Sequence, residues 1–122
     1  MALNQEFVPG NRLSLPCTQP ATPASGDPVL VGQMPGVALT DEGDGGNVAT
    51  NTSIQTDGVW NFLVEAVVAA GNSAVAVGDI LYYDSAATIK INKDVTNGVR
   101  FGYALDTVTS GSSGTIRVKI GY

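Results

Sequence analysis

The closing segment of this chain constrains its fold more than any other stretch: Ile116, Val118, Ile120 and Tyr122 alternate with Thr115, Arg117, Lys119 and Gly121. A period of two places successive side chains on opposite faces of a pleated strand, so the segment predicts a strand with one apolar and one solvated face. A second alternation sets Val99, Phe101, Tyr103 and Leu105 against Arg100, Gly102, Ala104 and Asp106. The polar run 109–114 between the two has the length of a hairpin connection. A third alternation opens at Gly58, with Trp60, Phe62, Val64 and Ala66 on the predicted core face and Val59, Asn61, Leu63 and Glu65 on the other. Half-buried strands of this kind belong in antiparallel sheets.

The rest of the chain reads as shorter strands and turns. Pro28-Val-Leu-Val31 is β-branched, residues 32–36 turn the chain, and Val37-Ala-Leu-Thr40 resumes it, which predicts a hairpin or tight pair. The run Asp41-Glu-Gly-Asp-Gly-Gly46 is almost entirely turn residues and leads into a polar, Thr-rich stretch anchored by Ile54. Ile80-Leu-Tyr-Tyr83 and Thr88-Ile-Lys-Ile91 read as two strands joined through residues 84–87. Frequent alanines over residues 66–77 are compatible with one short helix, although Gly71, Asn72 and Ser73 interrupt it. Residues 1–26 carry Pro9, Pro16, Pro20 and Pro23 and only Glu6 and Arg12 as charges. Proline removes a backbone donor and biases its predecessor towards extended conformations, so this region predicts an extended arm, within which Arg12-Leu-Ser-Leu15 suits a short edge strand.

With 122 residues the chain has room for one core and needs neither disulfide nor metal to fold. Hydrophobic residues make up 43%, while charged residues at 14% fall well below the ordinary ~25%, a mix suited to turns and neutral strand faces. About eight short strands predict an all-β domain over residues 27–122, a small antiparallel barrel or sandwich with an N-terminal arm over 1–26 and at most one short helix.

Several chemistries are disfavoured by content alone. The chain has no His, which removes the usual general base, metal ligand and neutral-pH switch, and its single Cys17 forms neither an intrachain disulfide nor a cysteine zinc site. A net charge of −5 gives no footprint for a phosphate backbone, so no nucleic-acid partner is expected. There is no Gly-Lys dipeptide for a phosphate loop. The uncharged apolar stretch 66–78 is too short and too interrupted for a membrane span, and a soluble protein made in the cytoplasm is expected. The acids at 41, 42 and 44 suggest calcium, but glycines stand at 43 and 45 where a calcium loop needs ligands, so the segment reads as a solvated turn and no metal or cofactor is expected. Glu65, Asp79 and Asp84 flank apolar strands, yet each is placed as a strand-end or solvent-facing residue. Trp60 and Phe62 read as core, whereas Tyr82 and Tyr83 point to opposite faces of one strand and are the exposed-aromatic candidates. No catalytic residue is assigned.

The order of short blocks along the chain resembles the small capsid cement, or decoration, proteins of tailed phages. The blocks are Gly26-Asp-Pro-Val-Leu-Val-Gly32, Gly36-Val-Ala38, Thr56-Asp-Gly-Val-Trp60, Val77-Gly-Asp-Ile-Leu-Tyr-Tyr-Asp84, Gly102-Tyr-Ala-Leu105 and the alternating end Gly114-Thr-Ile-Arg-Val-Lys-Ile120. The resemblance implies a structural virion protein, not an enzyme, that binds the major capsid protein on the outer surface of an expanded head, often as a homotrimer, and resists internal DNA pressure. Members have sometimes carried a recombinase label, against which small size, acidity and the missing phosphate loop argue. Our own reading of the arm names Phe7, Leu13 and Leu15 as capsid-contact candidates from their apolarity, since an extended charge-poor segment adds main-chain hydrogen bonds to a partner's sheet edge. The alternatives are a virion-displayed carbohydrate- or receptor-binding module using Tyr82 or Tyr83 with the loop 41–47, another head or tail subunit, and a small carboxylate hydrolase.

Overall fold

A computed structural model describes residues 11–121; residues 1–10 of the arm, Phe7 among them, and Tyr122 lie outside the described residues. Eleven strands and no helix occur among the described residues: β1 (Arg12–Leu15), β2 (Pro28–Val31), β3 (Met34–Ala38), β4 (Thr52–Gln55), β5 (Val59–Glu65), β6 (Val67–Val68), β7 (Gly71–Asn72), β8 (Ile80–Tyr83), β9 (Ile91–Asn92), β10 (Val99–Ala104) and β11 (Ser113–Ile120). No helix there is long and apolar enough to cross a membrane. Five strands close a barrel in the order β10-β11-β5-β9-β8, and four form a sheet in the order β1-β4-β3-β2. The fold is therefore all-β with a small barrel, which decides between barrel and sandwich.

The barrel is built on the two longest strands. β11 pairs antiparallel with β5 from Ser113↔Glu65 to Lys119↔Val59, so Ile116, Val118 and Ile120 stand beside Phe62, Trp60 and their neighbours on one face. Closure runs through a single parallel pair, Val64↔Ile91, between β5 and β9. A filled interior follows: Phe62 and Phe101 meet edge to face with ring centroids 5.6 Å apart, and Tyr83 lies 6.3 Å from Phe101. Such edge contacts suit the ring quadrupoles and add to the area the rings bury.

β10 departs from the predicted alternation. Its pairing with β8 shifts between Arg100 and Gly102, a β-bulge at Phe101. Beyond the bulge, Gly102 and Ala104 stand opposite Ile120 and Val118 on the core side, while Tyr103 stands opposite Lys119 on the outside. The expectation that Val99, Phe101, Tyr103 and Leu105 share one face is thus corrected: the extra residue reverses the faces of everything after it. Gly102 now occupies a core-side position where a Cβ would lie 2.2 Å from the Lys119 carbonyl oxygen. Only glycine lets the two backbones approach this closely.

The compatible helix over residues 66–77 is replaced by the β6–β7 hairpin, with Val67↔Asn72 and Val68↔Gly71 in register. Ala66, directly after β5, is fully buried in the barrel core, and Val75 bridges Val108, so the segment is held to the barrel at both ends. Tertiary anchoring of this kind overrides a weak alanine propensity.

In the sheet, the turn between β2 and β3 is shorter than predicted. Val31 pairs with Met34, leaving only Gly32 and Gln33 in the loop, and Gly32 has φ 60°. That is the first central position of a type II′ turn. Pro35 therefore lies inside β3, where its missing N–H costs no bond to β2: the Leu30 N–H and C=O opposite it turn away to Gln19.

Candidate functional site

Each described residue named from the sequence has a distinct place. Leu13 and Leu15 are on β1, opposite Ile54 and Thr52, and pack half-buried against the small cluster Val29, Ala38 and Ile54. Tyr83 is 3% exposed and belongs to the barrel core, where burial pushes its phenol pKa up; it is removed from the exposed aromatics. Tyr82 alone of the pair stands half-buried on the outer wall, opposite Arg100. The structure therefore does not bring Leu13, Leu15, Tyr82 and Tyr83 together into one cleft.

The chemistry-bearing groups are individually engaged. Burial raises the pKa of the Cys17 thiol, the direction opposite to that of an activated nucleophile. The Asp79 carboxyl is held below the usual range by the Ala76 N–H and by Lys93, whose ammonium lies 3.1 Å away. Lys93 also donates to the Ser73 hydroxyl and the Ala74 carbonyl, so its three donors are all used in pinning residues 73–79. Asp84 accepts from the Ala86 N–H, and Asp94, lowered by the Asn97 amide, accepts from the N–H groups of Thr96 and Asn97. These are turn-closing carboxylates. No group of three potential metal-ligating acids or cysteines occurs among the described residues. A groove of about 410 Å³ beside Tyr82, lined also by Asp79, Ile80, Lys93 and Val95, is open, and its Asp79 and Lys93 are paired with each other.

What the fold offers instead is surface. Among the described residues β1 is an edge strand paired only with β4. The Thr56 N–H donates to the Asn11 carbonyl, which fixes the phase of this ladder: Leu13 and Leu15 also bond towards β4, and the backbone groups of Arg12 and Ser14 face away. Asn51 donates to the Ser14 carbonyl at 3.4 Å and covers part of that edge. The second surface is the outer barrel wall, where Ile80, Tyr103, Lys119 and Val59 stand side by side across β8, β10, β11 and β5. Arg100 and Lys119 lie 5.4 Å and 6.0 Å from the Tyr103 ring centre, within cation–π range, and Arg100 donates to the Tyr103 hydroxyl.

A surface-rich, pocket-poor barrel is what a structural partner requires, and a family model described as phage cement protein matches residues 7–120. The chain belongs to the phage cement protein family. No match is found among curated proteins or among solved structures. Cement proteins are structural and non-enzymatic components that stabilise the phage capsid, and membership places this chain with the capsid in the virion. The cement-protein match begins within the arm and runs to the last core residue of β11, so it spans the sheet and the barrel together. Sequence reasoning missed the outer wall because the bulge at Phe101 hides Tyr103 among apparent core positions; the signal available was Gly102, a glycine inside a strand pattern.

Proposed function

We propose that this chain binds the outer surface of the expanded phage head, made in the host cytoplasm and added as a homotrimer that bridges neighbouring copies of the major capsid protein against internal DNA pressure. The family match over residues 7–120 is the observation that carries this reading. The arm, residues 1–26, is the proposed capsid contact. In this reading Phe7 anchors the partner, while Leu13 and Leu15, held on the small sheet core, position β1 so that the outward backbone groups of Arg12 and Ser14 meet a partner strand.

The physical effect is linkage. A protein that binds the assembled, expanded shell and not separated capsomers adds its binding free energy to what is needed to pull them apart. Three tethered contacts make later binding events intramolecular, so modest single contacts suffice.

The test is co-sedimentation with undecorated expanded heads and, in parallel, with unexpanded procapsids. Saturable binding to expanded heads alone is expected. A chain lacking residues 1–10 keeps β1 and is expected to stay folded while losing at least about tenfold in affinity. Full binding by that truncation removes Phe7 and the rest of residues 1–10 from the reading and leaves the β1 edge as the contact, and binding to neither particle overturns it.

A further inference from the structure

The charges of this chain are segregated along its length and in its fold. Residues 11–57 carry Asp27, Asp41, Glu42, Asp44 and Asp57 against Arg12 alone, whereas residues 58–121 balance five carboxylates with five cations. Among the cations of the barrel half, Arg100, Arg117 and Lys119 belong to the two adjacent strands β10 and β11. Arg117 is held by a bidentate pair with Asp106, and Lys119 makes no ion pair among the described residues. Beside Lys119 and Arg117 on the same wall stand Val59 and Leu63, large apolar side chains 54% and 49% exposed.

The acidic loop has the matching character. Asp44 is exposed, Asp41 is exposed at the start of the loop with its carboxylate accepting from the Ser25 N–H, and Val48, 65% exposed, gives the loop an apolar knob. Its shape is set before any contact: the Gly43 N–H donates to the Asn51 carbonyl, the Glu42 N–H to the Pro23 carbonyl, and the Asn47 amide to the Asp44 carbonyl. A preformed loop loses little conformational entropy on docking. None of these bonds involves the barrel wall of the same molecule.

We infer that the loop 41–48 of one copy docks on the β5–β11 wall of a second copy, Asp41 and Asp44 against Lys119 and Val48 against Val59 and Leu63. The two surfaces differ, so the contact is head to tail, and its repetition closes a ring where the rotation allows. This inference rests on the self-association part of the proposed function and supplies its interface; it requires no capsid.

Sedimentation velocity of the full chain, in low and in high salt, tests it. Assembly is expected in low salt and dissociation towards monomer as added salt shortens the screening length from about 8 Å to about 3 Å. Lys119→Glu and Asp44→Lys should each weaken self-association about tenfold or more, and the two together in one chain should restore most of it, because the exchanged charges again oppose. Lys90→Glu, the same change in net charge away from the wall, should leave assembly unchanged. Circular dichroism and Trp60 fluorescence establish that each variant is folded. A wild-type chain that stays monomeric at every concentration overturns both the self-association reading and this interface. Assembly that persists in folded Lys119→Glu, or no recovery in the double variant, overturns this interface and leaves the trimer reading standing.

Discussion

Every strand of the barrel has a neighbour on both sides, whereas among the described residues the β1-β4-β3-β2 sheet ends in β1 and β2, each with one neighbouring strand, and β2 is partly covered on its outer side by the Gln19 bridge to Leu30. The difference extends to the cores. Among the described residues fifteen buried side chains fill the barrel cluster, and two of them, Leu30 and Val37, are sent into it by the sheet; the sheet's other face has Val29, Ala38 and Ile54 as its buried apolar residues, rimmed by half-buried Leu13, Leu15, Cys17, Val31 and Met34. Buried apolar area is the main source of stability, so the barrel holds the molecule together and the sheet is fastened to it. The comparison teaches that closure and exposure divide the work: the region without edges supplies rigidity, and the region with an open edge is the one equipped to pair with something else.

The most severe way to break this division is at the barrel's closest approach. Gly102→Ala puts a Cβ against the Lys119 carbonyl, a backbone atom with no side chain to swing away, and is expected to cost about 3 kcal/mol or more, as strong overpacking does. Gly114→Ala, on a neighbouring strand with no atom within 4 Å of the new Cβ, is the near-neutral companion. Chemical denaturation followed by Trp60 fluorescence reads both, and a loss of under about 0.5 kcal/mol for Gly102→Ala would contradict the bulge geometry.

Next in size, Ile54→Ala empties the centre of the small sheet core, where the side chain is fully buried opposite Leu13 and Ala38. A cost of about 2 to 4 kcal/mol is expected. Amide exchange sharpens the comparison: β1 and β4 should lose protection first while β5 and β11 keep theirs, because Leu30 and Val37, not Ile54, tie the sheet to the barrel. Uniform loss across all strands would mean the two regions unfold as one unit.

The smallest effect is expected at Asp106→Asn. Hydrogen bonds from the Arg117 side chain and backbone N–H lower the Asp106 carboxyl to about 2. A depressed folded-state pKa stabilises above the ordinary carboxylate value of 3.8, and this contribution disappears as pH falls through about 2. The variant should therefore be slightly less stable than wild type at neutral pH, with the gap closing as the solution is acidified over that window. Because the pair is solvent-exposed, salt should shrink the gap as well.

Much of the architecture was legible one strand at a time. β5 and β11 follow their predicted faces residue by residue, from Phe62 and Val64 inward and Val59 and Leu63 outward to Ile116, Val118 and Ile120 inward. β2 and β3 show why the same reading weakens in the sheet: both faces are covered, so Val29 and Leu30 are buried side by side and the period of two vanishes. The surfaces were less legible than the core. Tyr82 and Tyr83 were separable only as opposite faces, and which faced out depended on which strand lay behind them.

The sequence by itself determined the all-β class, the faces of the strands exposed on one side, and the scarcity of catalytic groups, because side-chain alternation and residue content are local properties. Only the tertiary structure decided that the sheet closes through Val64 and Ile91, that residues 66–77 hold a hairpin and no helix, and that Tyr103 faces outward beside Lys119. Each of these depends on a strand distant in the chain: a bulge, a closing pair and an anchored segment are set by what packs opposite, and alternation within one strand carries no record of its partner's register.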